Sequence, residues 1–163
     1  MSRKLVIRWL GGFALAASAS AMTAQAADIS DGEVRIGLLS DMMSIYRNVG
    51  RGAEAAAEMA IEDFGGQVLG KPIRLYVRDH KIDPDVAMKH AKELHEQHHV
   101  DAFLEMVGTN VAVPLQRYAK ENNIAALHTG TASSILTGPE CSPVGVHWVY
   151  DTYALAAGTA AAI

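Results

Sequence analysis

The chain has a single cysteine, Cys141. One thiol cannot close a disulfide within the chain, so no bridged scaffold is available to it. Cys141 is left as a small buried residue, or as half of a pair whose partner lies in other sequence. His128 and His147 are present, but no local context pairs either with the thiol, which disfavours a catalytic cysteine. Cationic residues are outnumbered, 14 Lys and Arg against 18 Asp and Glu. That balance argues against nucleic acid and against adhesion to an anionic membrane surface. Beyond the N-terminus no apolar run is long enough to span a bilayer. There is no Gly-rich phosphate cradle either: Gly50-Arg51-Gly52 is short and lacks a following Lys-Ser/Thr. Asp79-His80 comes nearest to an acid–base pair, but neighbours on a strand point to opposite faces. Nothing in these lacks favours an enzyme, a metal centre or a bound cofactor. Internal repeats and low-complexity linkers are missing too.

What is present begins with a leader. Arg3, Lys4 and Arg8 precede the small-residue apolar run "WLGGFALAASASAM", and Ala24-Gln25-Ala26 closes it with a small-x-small signal. Residues 1–26 therefore read as a secretory signal peptide, with a mature start at Ala27. No cysteine lies near that point to carry a lipid. Loss of a +3 leader from a chain of net −4 leaves a mature chain of 137 residues and charge −7, enough for one domain with one core.

Strand and helix patterns then alternate. "EVRIGLLS" (33–40) reads as a strand, and "RGAEAAAEMAIEDF" (51–64) as a helix with Ala53, Ala56, Ala60 and Phe64 on its apolar stripe. "KPIRLYVRDH" (71–80) alternates Ile73, Leu75 and Val77. Asp83 and Pro84 form a helix start, with the stripe Ala87, Ala91, Leu94 behind them. Strand "VDAFLEMV" (100–107), helix "NVAVPLQRYAKEN" (110–122) capped by Asn110, and strands 124–129 and 144–150 follow. A last Ala-rich helix opens at Asp151 with no polar ending and nothing evident to bury against. The pattern predicts an α/β fold, an open parallel sheet with helices on both faces.

"ELHEQHHVDAF" (93–103) holds His95-Glu96-Gln97-His98-His99, a match to the zinc motif H-E-x-x-H. The motif needs both histidines on one helical face. Here a strand is due at Val100 or Asp101, so the chain turns where His99 stands. The stripe with Met88, Lys92 and His95 is moreover the one expected to face solvent, and no third ligand follows at a suitable spacing. Imidazoles at a helix C-terminus already suit the negative end of its dipole.

Open parallel sheets bind ligands beyond the carboxyl ends of their strands. That selects the loops at 40–50, 79–84, 107–110, 129–137 and 150–152. The first carries Tyr46. "VGTN" offers Gly108 for close approach and Thr109 and Asn110 at a helix start, an arrangement that suits a carboxylate or is simple capping. "HTGTASSILTG" is rich in hydroxyls and poor in charge.

The segments "VRIGLLSDM", "EDFGGQVLGKPIRLYVRDHKIDPDVA", "VDAFLEMVGTNVAVPLQ" and "HWVYDTYALAAGTA" resemble the periplasmic solute-binding proteins of ABC importers, in particular the leucine/isoleucine/valine-binding type. The resemblance implies two α/β lobes joined by a hinge, with a solute closed between them and delivered to a membrane permease. On that basis residues 27–150 correspond to the first lobe in part, and 151–163 to a hinge crossing and the first helix of the second. The resemblance places Thr109 on a ligand carboxylate and Gly130, Thr131, Ala132 and Ser133 in a second ligand loop. It places Val49 against the ligand side chain, and Tyr150 and Asp151 at the hinge mouth. It implies an amino acid or similar small carboxylate or amide as solute, and a periplasmic location. Met43-Ser44, Gly50-Arg51-Gly52 and Ala132 depart from the family pattern. The same fold also serves as the sensing domain of receptors and regulators, and a fragment of it need bind nothing.

Overall fold

A computed structural model describes residues 32–163; the expected leader and its expected cleavage point lie outside the described residues. Six strands form one sheet in the order β2-β3-β1-β4-β5-β6. They are β1 (Val34–Ser40), β2 (Gln67–Val68), β3 (Lys71–Asp79), β4 (Ala102–Glu105), β5 (Ala125–His128) and β6 (Gly145–His147). All neighbours run parallel except β2 and β3, a hairpin. Helices α1 (Arg47–Asp63), α2 (Pro84–Glu96), α3 (Thr109–Glu121) and α4 (Thr152–Ala162) fill the connections. This is the α/β architecture expected from the alternation of apolar runs.

Register decides which side chains share a face. Leu39 of β1, Phe103 of β4 and Ala126 of β5 form one core with Ala87, Ala91 and Leu94 of α2 and Val111, Ala112, Leu115 and Ala119 of α3. The α2 stripe is the one its sequence predicts. Asp83 caps the helix, accepting from the N–H groups of Asp85 (2.8 Å) and Val86 (3.2 Å), and Pro84 sits in the first turn, where no donor is missed. Asp83→Ala is expected to cost about 1 kcal/mol. Urea unfolding checks it, and an unchanged midpoint would show that the cap is idle.

Helix α1 covers the opposite face, over β1 and β3. Its roll differs from the expected one. Gly50 is buried and Ala53, Ala57 and Ile61 are half-buried, whereas Ala56, Ala60 and Phe64 are exposed. The cause is the seat at Gly50, whose bare Cα lies against the Asp41 carbonyl and fixes the helix's rotation. Helix α4 is capped by Asp151, which accepts from the Ala154 N–H at 2.7 Å, and none of its residues is buried. Cys141 is exposed, which removes the buried-residue reading. No described helix is long and apolar enough to cross a membrane.

Candidate functional site

The carboxyl ends of β1, β4, β5 and β6 open on one edge, and a cavity of about 370 Å³ lies there. Tyr46 and Val49, at the start of α1, form one wall. Val107, Gly108 and Thr109 form the floor at the start of α3. Residues 129–133 close the far side, and Val149, Tyr150 and Thr152 the mouth. Of the expected site residues, Tyr46, Val49, Gly108, Thr109, Gly130, Thr131, Ser133 and Tyr150 are brought together. Asn110 is not. It is the second residue of α3 and its side-chain amide donates to the Ile82 carbonyl at 2.9 Å, tying α3 to the loop before α2.

The expected cap on α3 does not form. Gly108 stands at the cap position with φ 94°, a region an L side chain rarely adopts, and no side chain accepts from the helix's first N–H groups. The Val111 and Ala112 N–H groups donate to the Gly108 carbonyl, which leaves those of Thr109 and Asn110 at the cavity floor, an arrangement suited to an anionic or carbonyl oxygen. The facing loop is held from behind. The Thr131 hydroxyl donates to the Met106 carbonyl at 2.5 Å, and the Thr131 carbonyl accepts from His147 Nε2 at 2.6 Å. A carbonyl only accepts, so Nε2 carries the proton. The Thr152 N–H donates to the Ala132 carbonyl at 2.7 Å, joining the start of α4 to the same loop. Thr131 therefore contributes position rather than a free hydroxyl, while Thr109 and Ser133 keep theirs available to the cavity.

The loop carrying Tyr46 is organised by Asp41, which reading from sequence passed over. Its carboxylate accepts from the Ser44 hydroxyl (2.6 Å) and from the N–H groups of Ser44 (2.8 Å), Tyr46 (2.7 Å) and Met43 (3.3 Å). Burial alone would raise this carboxyl, but the Ser44 hydroxyl and the three N–H donors bring it down to about 2. The "SDM" motif was the available signal, since Asp in a turn bonds main-chain groups just after it. Two imidazoles sit fully buried nearby, His80 after β3 and His128 at the end of β5. Burial pushes both down to about 4, against the pull of Asp41 and Asp79 at His80 and with the help of His147 at His128.

Among the described residues no charged side chain lines the cavity. It can grip the polar end of a small molecule through hydroxyls and main-chain N–H groups, with Val49, Val107 and the two tyrosines against the remainder.

The histidine cluster lies away from this edge. Helix α2 ends at Glu96, and His99 stands beyond it in a left-handed conformation (φ 50°), so the pair required by H-E-x-x-H does not share a helix. His95 is half-buried rather than solvated, with Nδ1 2.9 Å from the Tyr118 hydroxyl of α3. Among the described residues no group of three or more His, Cys, Asp or Glu is placed to hold a metal ion.

An open α/β sheet with an uncharged, hydroxyl-lined cavity at its switch edge has that cavity where such sheets take small molecules. A family model described as "Periplasmic binding protein" matches residues 33–163, and the chain belongs to that family. A periplasmic binding protein from Burkholderia mallei is 35% identical over 80% of this chain and 35% of its own, with a TM-score of 0.78. A protein from Burkholderia xenovorans LB400, described as a branched chain amino acid ABC transporter periplasmic ligand-binding protein, is 32% identical over 79% of this chain and 36% of its own, with a TM-score of 0.72. A solute binding protein of an ABC transporter from Rhodopseudomonas palustris BisB5, in complex with 3,4-dihydroxybenzoic acid, shares the fold at 22% identity, covering 74% of this chain and 33% of its own with a TM-score of 0.69. The chain thus spans about a third of the length of the solved structures it matches. Among curated proteins none matches it.

Proposed function

We propose that this chain provides the first lobe of an extracytoplasmic solute-binding component of an ABC importer, without catalysis. Its solute is an amino acid or a similar small carboxylate or amide, and its protein partner is the membrane permease of the importer. The observation that carries the reading is the uncapped start of α3 meeting a hydroxyl-bearing loop in one uncharged cavity. A carboxylate seated there would accept from the first N–H groups of α3 and from Thr109, with Ser133 opposite. The B. xenovorans and R. palustris relatives, one described by branched chain amino acids and one holding a benzoic acid, support a solute with a carboxylate end. Export through the leader at 1–26 and a hinge at 151–163 belong to the same proposal.

One lobe supplies only part of such a site. Two or three exposed hydrogen bonds, each about 0.5–1.5 kcal/mol net, scarcely offset an association cost of about 4 kcal/mol or more. The 163-residue chain is therefore expected to bind acetate, L-leucine or acetamide no more tightly than about 1 mM. NMR titration should move the amides of Thr109, Asn110 and Ser133, and Thr109→Ala should abolish the response. Shifts scattered over the surface, or none at all, would reject the reading.

A further inference from the structure

We propose that Glu105 is a positioning residue for the solute cavity, holding Thr129, Gly130 and Thr131 from beneath and passing its own ionisation on to them; this rests on the solute-binding reading above. Glu105 is 1% exposed and does not line the 370 Å³ cavity. Its side chain runs instead under the loop. Carboxylate Oε2 accepts from the Thr129 hydroxyl at 2.7 Å, and Oε1 from the Ser40 hydroxyl at 3.3 Å. Its main-chain carbonyl accepts from the Gly130 N–H at 3.3 Å. The next carbonyl, that of Met106, takes the Thr131 hydroxyl. Three successive residues of the cavity wall thus hang on two residues at the end of β4.

Two further observations show that this arrangement is built rather than incidental. A Cβ on Gly130 would fall 2.0 Å from Glu105 Oε1, so the loop closes over the carboxylate only because residue 130 has none. Glu105 and Met106 both have positive φ, 82° and 59°. Two consecutive non-glycine residues in that region are costly, and such strain persists where surrounding bonds over-determine it. Here the strain turns the Glu105 side chain to the α1 face, under the loop.

The surroundings leave the carboxylate without a counter-ion. From β1 comes the Ser40 hydroxyl; from α1 come Gly52, Ala53, Ala56 and Ala57, none ionisable; from β5, the register partner is His128, kept neutral by burial. Burial accordingly raises the Glu105 carboxyl, with the Thr129 and Ser40 hydroxyls opposing the shift. The consequence for the cavity is chemical. An ionised Glu105 can only accept, so the Thr129 proton points down and its lone pairs remain for a solute donor. A protonated Glu105 can donate to Thr129, whose own proton is then released toward the cavity and favours a solute acceptor.

The test is an NMR titration of the folded chain, carboxyl-labelled at glutamate, from about pH 8 down to about pH 5, above the acid unfolding that the buried histidines impose and across the range of a raised carboxyl. The amides of Thr129, Gly130 and Thr131 are expected to titrate with the Glu105 carboxyl at one shared midpoint, above the ordinary glutamate range. Glu105→Gln, which keeps an acceptor for Thr129, should retain the fold and abolish that shared transition. Glu105→Ala should speed hydrogen exchange at Gly130 by about tenfold, as expected of a loosened loop. If the three amides do not follow the carboxyl, or their transition survives in Glu105→Gln, the proposal is overturned. Failure of acetate, L-leucine and acetamide to bind counts against the solute reading alone, because the loop titration needs no solute.

Discussion

Gly50→Ala is expected to destabilise the chain by about 3 kcal/mol, while Gly52→Ala, two residues along the same helix, stabilises it by about 0.5–1 kcal/mol. Both replace glycine by the best helix former, which on propensity alone favours the alanine variant. Space separates them. A Cβ at Gly50 would lie 2.2 Å from the Asp41 carbonyl oxygen and 2.9 Å from its carbon. That obstacle is main chain, so no rotamer relieves it, and α1 must lift from the end of β1. At Gly52 a Cβ meets nothing within 4 Å. Because the Asp41 turn holds Tyr46 and Val49 follows one residue before Gly50, the first substitution should also widen the cavity wall. Urea unfolding of the two variants is the measurement, and equal effects of one sign would show that α1 is not seated as described.

Acid should unfold the chain well before its carboxylates are fully protonated. His80 and His128 have folded values near 4 against about 6.5 when unfolded. Between those values the unfolded chain binds more protons, so the histidine contribution to stability falls as pH falls from about 6.5 to about 4 and is constant outside that window. Each histidine accounts for about 3 kcal/mol when the window is fully crossed, large beside a total of about 5–15 kcal/mol for a domain. Glu105 acts the other way, since its raised carboxyl holds a proton more tightly when folded and adds stability as pH falls. Asp41, lowered to about 2, contributes stability above its unfolded value that is lost only as pH falls through the folded one, below the histidine window. Unfolding free energies by urea at successive pH values should show the slope, and His128→Gln should halve it. A pH-independent stability from about 7 to about 4 would mean that the two imidazoles reach water in the folded chain.

Much of the architecture was legible because periodicity is local. The α2 stripe Ala87, Ala91, Leu94 and its Asp83 cap can be read from spacing alone, and both occur. The cavity edge was legible by topology, since parallel strands must gather their carboxyl ends on one side, and the expected site residues other than Asn110 and Asp151 line the cavity there. What failed depended on a partner outside the element's own pattern. The roll of α1 was set by the Asp41 carbonyl and not by its own apolar spacing, so Phe64 faces water. Asn110 resembles a cap, but its amide finds the Ile82 carbonyl.

The sequence by itself determined the alternating α/β order, the helix starts at Pro84 and Thr152, the hydroxyl-rich loops and the resemblance to a binding-protein family, all of which reside in short stretches. The tertiary structure alone decided that Glu105 is not an ordinary strand residue. Its charge is buried only because β4 turns through two left-handed residues, brings the carboxylate under residues 129–130 and leaves it the hydroxyls of Ser40 and Thr129, which lie 65 and 24 residues away. Desolvation and hydrogen bonding depend on what is near in space, and no local pattern encodes that proximity.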